Sequence, residues 1–132
     1  MKVNILDCTL RDGGYYNSWK FEKNTVSKYI KALSLSSVSH IEIGFRFLPN
    51  SRELGEFAYS SEELLNSIDF PSNKKIGVMI NGGEYLKESN PKKAINENFI
   101  KSKKSKISFV RIAIDALKAT NTKVTTNTEA ME

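Results

Sequence analysis

The sequence predicts a parallel α/β fold, a sheet of strands joined through covering helices. Three observations predict it. Strand-like apolar segments recur at 3–9, 40–45, 75–81 and 107–114, with helix-like segments between them. The helix-like segment 25–36 carries Val26, Tyr29, Ile30 and Leu33 on one stripe. The segment Lys75–Asn81 is almost continuously apolar in its middle, as a strand covered on both faces should be. Strand, helix, strand, repeated, is the order that right-handed crossovers between parallel strands produce.

The first strand is expected at 3–9, with Val3, Ile5, Asp7 and Thr9 on one face and Asn4, Leu6 and Cys8 on the other. Gly13-Gly14 should break it, leaving a loop over 11–21. Tyr15, Tyr16, Trp19 and Phe21 crowd that loop and either wall a pocket or cover a core edge. A helix follows from Thr25 to Ser36, with Asn24 as its cap. In the second strand, His40–Phe45, alternation puts Ile41, Ile43 and Phe45 on one face and His40, Glu42 and Gly44 on the other. His40 opens the strand and reads as a core or strand-end histidine.

A loop is expected over Arg46–Tyr59, then a short helix whose capping box uses Ser60 and Glu63, ending near Pro71 and Asn73. The third strand ends at Asn81-Gly82-Gly83, read as a plain turn. Asn90-Pro91 signals a helix start, with Ala94, Ile95 and Phe99 as its buried stripe. In the fourth strand Phe109, Arg111 and Ala113 share a face. From Ala116 the chain turns polar and threonine-rich and loses apolar periodicity, so 116–132 is expected to be a frayed or disordered tail.

The net charge of +5 and pI near 9.3 invite a nucleic-acid reading. The lysines are scattered, and the densest run, Lys101–Lys106, is a short solvated connection without interleaved aromatics, which argues against it. The single cysteine, Cys8, allows no disulfide within the chain, and no apolar run approaches a membrane span or a signal peptide. A cytoplasmic location is the expectation. Cys8 is a buried small hydrophobe rather than a nucleophile, since nothing places the one histidine beside it.

The chemistry concentrates in Asp7-Cys8-Thr9-Leu10-Arg11-Asp12-Gly13-Gly14. Charge at the carboxyl end of a buried strand requires a partner. Arg11 and Asp12 form either an ion pair that pins a turn or a metal ligand beside a cation able to steady an oxyanion. Glu42 could orient Arg11, contact substrate, or serve as a buried structural acid paired with Arg111.

This stretch resembles the first-strand motif of the DRE-TIM metallolyase superfamily, the HMGL-like or pyruvate-carboxyltransferase-like domain. The Gly-Gly-Tyr continuation is most similar to members such as 4-hydroxy-2-oxovalerate aldolase. The resemblance extends over the strand-like segments to about Asp115. It implies the N-terminal part, about four β/α units, of a TIM barrel: parallel strands with outer helices, incomplete because 132 residues fall short of the ~250 that a whole barrel takes. The expected organisation is a partial aldolase-like barrel at 1–115 and the tail at 116–132.

The resemblance further implies carbon–carbon bond cleavage or transfer on a 2-oxo acid through a metal-stabilised enolate. Asp12 matches the family's metal-binding aspartate, with manganese or magnesium as the ion, and Arg11 matches the arginine that steadies the enolate. The family's His-x-His metal ligands have no counterpart here, so the ion should be held weakly. The family's acid/base histidine is replaced by Tyr15, a poorer base at neutral pH. The chain alone is expected to be weakly active or inactive. The alternative is a non-catalytic truncated paralogue, or a half-barrel subunit that self-associates or needs a partner chain.

Overall fold

A computed structural model describes residues 3–115; the expected tail at 116–132 lies outside the described residues. Four strands form one parallel sheet in the order β1 (Leu6–Asp7), β2 (His40–Phe45), β3 (Lys75–Asn81) and β4 (Ile107–Ala113). Strands in sequence order, all parallel and joined by helical crossovers, give the α/β architecture of a partial TIM barrel.

β1 has only two residues where a strand over 3–9 was expected, and it is followed by α1 (Thr9–Asn17) where a loop was expected. Asp7 stands one residue ahead of Cys8, the cap position of this helix. Its carboxylate accepts the Thr9 backbone N–H at 3.0 Å and the Thr9 hydroxyl at 3.1 Å, satisfying groups that a helix start leaves open. Gly13 and Gly14 both lie inside α1, and at Gly14 there is a packing reason. A Cβ on Gly14 would overlap the Trp19 indole, so the glycine is needed for close approach and does not break the helix.

The crossover helix α2 (Lys23–Ser34) begins two residues early, after Glu22 in place of Asn24. It buries Val26, Ile30 and Leu33 as expected. α3 (Glu56–Tyr59) is a single turn within the expected loop. α4 (Glu62–Ser67) is capped by Ser61, whose hydroxyl accepts the Leu64 N–H at 3.2 Å; the cap lies one residue after Ser60 and the helix ends before Pro71. α5 (Gly82–Tyr85) replaces the plain turn at Gly82-Gly83, with the Asn81 side chain accepting the Gly83 N–H. α6 (Pro91–Asn98) starts at the expected Asn90 cap, but no residue of it is buried and Ile95 is exposed. Only Phe99, just after it, packs against the core.

One core joins Val26, Ile30 and Leu33 of α2 and Leu64 and Leu65 of α4 to Ile41, Ile43, Ile76 and Val78 of the sheet. The opposite face carries the charges. The β2–β3 ladder shifts register between Glu42 and Gly44. Phe45 is thereby brought to the Glu42 side, where Arg11 bonds Glu42 and lies over the Phe45 ring. Simple alternation had placed Phe45 with Ile41, and the bulge overturns that. Gly44 instead meets α3, where a Cβ would overlap the Phe57 carbonyl. His40 sits at the start of β2, edge-on to Phe109 with its Nδ1 2.8 Å from the Ser39 hydroxyl, a strand-end packing position. Among the described residues no helix is long and apolar enough to cross a membrane.

Two buried phenols give the fold an alkaline limit. Burial, then the hydrogen bond to Asp7 and its charge, hold the Tyr29 phenol well above its usual range. Burial also raises Tyr85, against the opposing Asn98 hydrogen bond. In both cases the folded state keeps its proton when the unfolded chain, with phenols near pKa 10, has lost it. Stability is therefore full below about pH 10 and falls with a downward slope as pH rises above it. Urea midpoints measured from pH 9 to 11 should show this slope, and Tyr29→Phe should remove one tyrosine's share of it.

Candidate active site

The charged cluster is built by three elements. Arg11 stands in the first turn of α1, Glu42 in the middle of β2 and Arg111 on β4. Glu42 is fully buried, and its Oε1 accepts the Arg11 Nε–H at 2.7 Å. Its Oε2 accepts no hydrogen bond and faces Arg111 Nη1 at 3.4 Å. The same Arg111 nitrogen reaches Cys8 Sγ at 3.4 Å. A buried carboxylate flanked by two guanidinium groups has the compensation that burial requires.

Arg11 is 12% exposed and Asp12 is 62% exposed. Arg11 Nη1 donates to Asp12 Oδ1, so the guanidinium spans one buried and one open carboxylate. The Trp19 indole N–H donates to the Arg11 carbonyl at 2.9 Å and fixes the helix backbone beneath. Burial pulls the Arg11 guanidinium down, but the Glu42 and Cys8 hydrogen bonds and the Glu42 and Asp12 charges outweigh it and leave it raised. Arg11 is a permanent cation. Burial, reinforced by the Glu42 charge, pushes the Cys8 thiol up, which weakens it as a nucleophile.

A trough lies at the carboxyl ends of β2, β3 and β4; none of Arg11, Asp12, Glu42 and Arg111 lines it, and Phe45, over whose ring Arg11 lies, is the residue it shares with the cluster. Trp19, Phe45 and Phe47 form its aromatic wall, with Tyr15 at the mouth and Met79, Asn81 and Asp115 on the sheet side. Tyr15 is 64% exposed and sets its ring edge on Trp19. The aromatic side chains thus do both things expected of them: Trp19 covers a core edge and Tyr15 walls an opening. In open α/β sheets and barrels this end of the strands is where ligands bind.

Of the residues singled out in the sequence, Arg11, Glu42 and Arg111 converge, Asp12 adjoins Arg11, and Tyr15 stands apart at the rim. Asp7 belongs to the start of α1 and to Tyr29, outside the cluster. Arg46 was missed. It lies next to the strand run Ile41–Phe45 in what reads as loop, yet it is buried, paired with Glu62 at 2.8 Å and stacked over Phe99.

The resemblance implies a divalent ion at Asp12. Among the described residues no group of three or more His, Cys, Asp and Glu side chains could hold a metal ion. Hard divalent ions want about six oxygen ligands, so these residues do not by themselves fit one.

One solved structure is similar in sequence and fold. It is the N-terminal domain of a candidate aldolase from Bacteroides vulgatus, similar at 32% sequence identity with a TM-score of 0.69 over 89% of this chain. The chain spans 38% of the length of that structure. The likeness supports an aldolase-like N-terminal domain and a partial barrel. No family model and no curated protein matches the sequence.

Proposed function

We propose that this chain carries the opening part of an aldolase-like site for carbon–carbon bond cleavage in a 2-oxo acid. The observation that carries the reading is Arg11, a cation held between buried Glu42 and open Asp12 and lying over the Phe45 ring that lines the trough. Similarity to the N-terminal domain of a candidate aldolase supports it. In cleavage of a 4-hydroxy-2-oxo acid the C4 hydroxyl gives up its proton to solvent acting as the base, and the C3–C4 bond breaks, releasing an aldehyde. The bonding pair moves onto the C2 oxygen as an enolate, which later takes a proton at C3.

Arg11 supplies the preorganised donor for that oxygen, with Glu42 fixing its orientation so that no rearrangement is needed as charge develops. Tyr15 at the trough mouth is the proposed hydroxyl donor toward the leaving oxygen. Manganese or magnesium binding through Asp12, weak with one carboxylate, belongs to the same proposal, and so does a cytoplasmic location. A second reading, a half-barrel subunit completed by another chain, is favoured by one observation. Among the described residues β4 is a sheet edge carrying Ile112 at 64% exposure.

Titration with oxalate, a planar anion shaped like the enolate of pyruvate, tests the first reading. Weak but saturable binding is expected, falling about tenfold or more in Arg11→Met through loss of a charge-assisted bond. Pyruvate release from a 4-hydroxy-2-oxo acid with Mn²⁺ should stay near the metal-only background. No saturable binding, or equal binding by Arg11→Met, would overturn the proposal. Robust turnover by the chain alone would overturn the expectation that it is weakly active or inactive.

A further inference from the structure

We infer that Arg111 is a positioning residue, acting from the fourth strand through Glu42 to hold Arg11 in place. The inference rests on the proposed role of Arg11 but is carried by a separate geometry. Glu42 is fully buried and uses one carboxylate oxygen on Arg11. Among the described residues its other oxygen has no hydrogen-bond donor, and the cation facing it is Arg111 at 3.4 Å. The two arginines therefore meet opposite oxygens of one carboxylate. Rotation of the carboxyl group to improve one contact would spoil the other.

The reach of Arg111 is itself limited. Its Nη1 is shared with Cys8 Sγ at 3.4 Å, so the residue before α1, β2 and β4 are tied at one point. Its side chain is 42% exposed where that of Arg11 is 12% exposed. That difference suits Arg111 to a supporting part, with the tighter and shorter bond reserved for Arg11. Without Arg111, Glu42 keeps a buried oxygen with no compensating charge. It is then free to turn toward Arg11 with both oxygens or away from it. Either movement changes the direction in which Arg11 presents its remaining N–H groups.

The test reads Arg11 directly, without ligand, by following exchange of its Nε–H with solvent in a ¹⁵N-arginine NMR spectrum. In the wild type the 2.7 Å bond to buried Glu42 should protect this proton. Arg111→Met and Arg111→Gln should each speed its exchange about tenfold or more, with near-UV circular dichroism unchanged. Arg111→Lys, which restores a cation beside the free oxygen, should recover protection. Unchanged exchange in either neutral variant, with the fold intact, would overturn the inference, and either variant decides if the other does not fold. Failure of oxalate to bind the wild type would remove the proposed role of Arg11 while leaving this result readable by itself.

Discussion

Replacing Glu42 by alanine is expected to destabilise the protein by about 3–5 kcal/mol, the cost of breaking a buried ion pair from one side. Glu42 is fully buried, and its removal strands Arg11, itself only 12% exposed, without its 2.7 Å acceptor. Arg111 loses its carboxylate too, but it is 42% exposed and can turn to water. Most of the penalty therefore comes from Arg11. Against a total stability of about 5–15 kcal/mol for a small domain, such a loss is a large share. Glu42→Gln keeps the volume and one acceptor and should cost less. Urea denaturation with an unchanged slope checks both. A loss under about 1 kcal/mol in the alanine variant would mean that the two arginines do not depend on this carboxylate.

Arg46→Met should cost about 3 kcal/mol, at the low end for a buried pair because the Glu62 side chain keeps 22% exposure and can be hydrated. Arg46 donates to Glu62, to the Ser60 carbonyl and to the Asn98 carbonyl, and its guanidinium stacks 4.8 Å from the Phe99 ring centroid. These contacts tie the end of β2 to α4 and to the end of α6, an element that buries none of its own residues. Methionine preserves the packing volume but leaves two carbonyls and a carboxylate short of donors. Changing Glu62 to leucine as well should recover part of the loss, and a double-mutant cycle by urea denaturation measures the coupling. Simple additivity would contradict the account of Arg46.

Three of the four strands were legible in the sequence because their period is local, whereas β1 is two residues long where 3–9 was expected. β2 and β3 have the expected limits, and β4 differs by one residue. The Asn90 cap was legible for the same reason, since a cap is a short-range hydrogen bond. What was not legible depends on distant partners. Gly14 belongs in a helix only because Trp19 lies against it, and Phe45 changes sides only because of a bulge. The α6 stripe reads as buried, but periodicity says nothing of whether another element covers it. Within the candidate site, the alternation that put Glu42 and Arg111 on inward faces was enough to pair them. The bridging of Cys8 by Arg111 and the burial of Arg46 had no sequence signal, because both are set by contacts across different elements.

A crystal structure of the chain with oxalate measures the central claim most directly. An oxalate oxygen is expected within about 3 Å of an Arg11 nitrogen, with Arg11 Nε still on Glu42 and the anion lying at the carboxyl ends of the strands. Arg11 and Asp12 turned out to solvent and parted from Glu42, or oxalate bound elsewhere with Arg11 untouched, would contradict it.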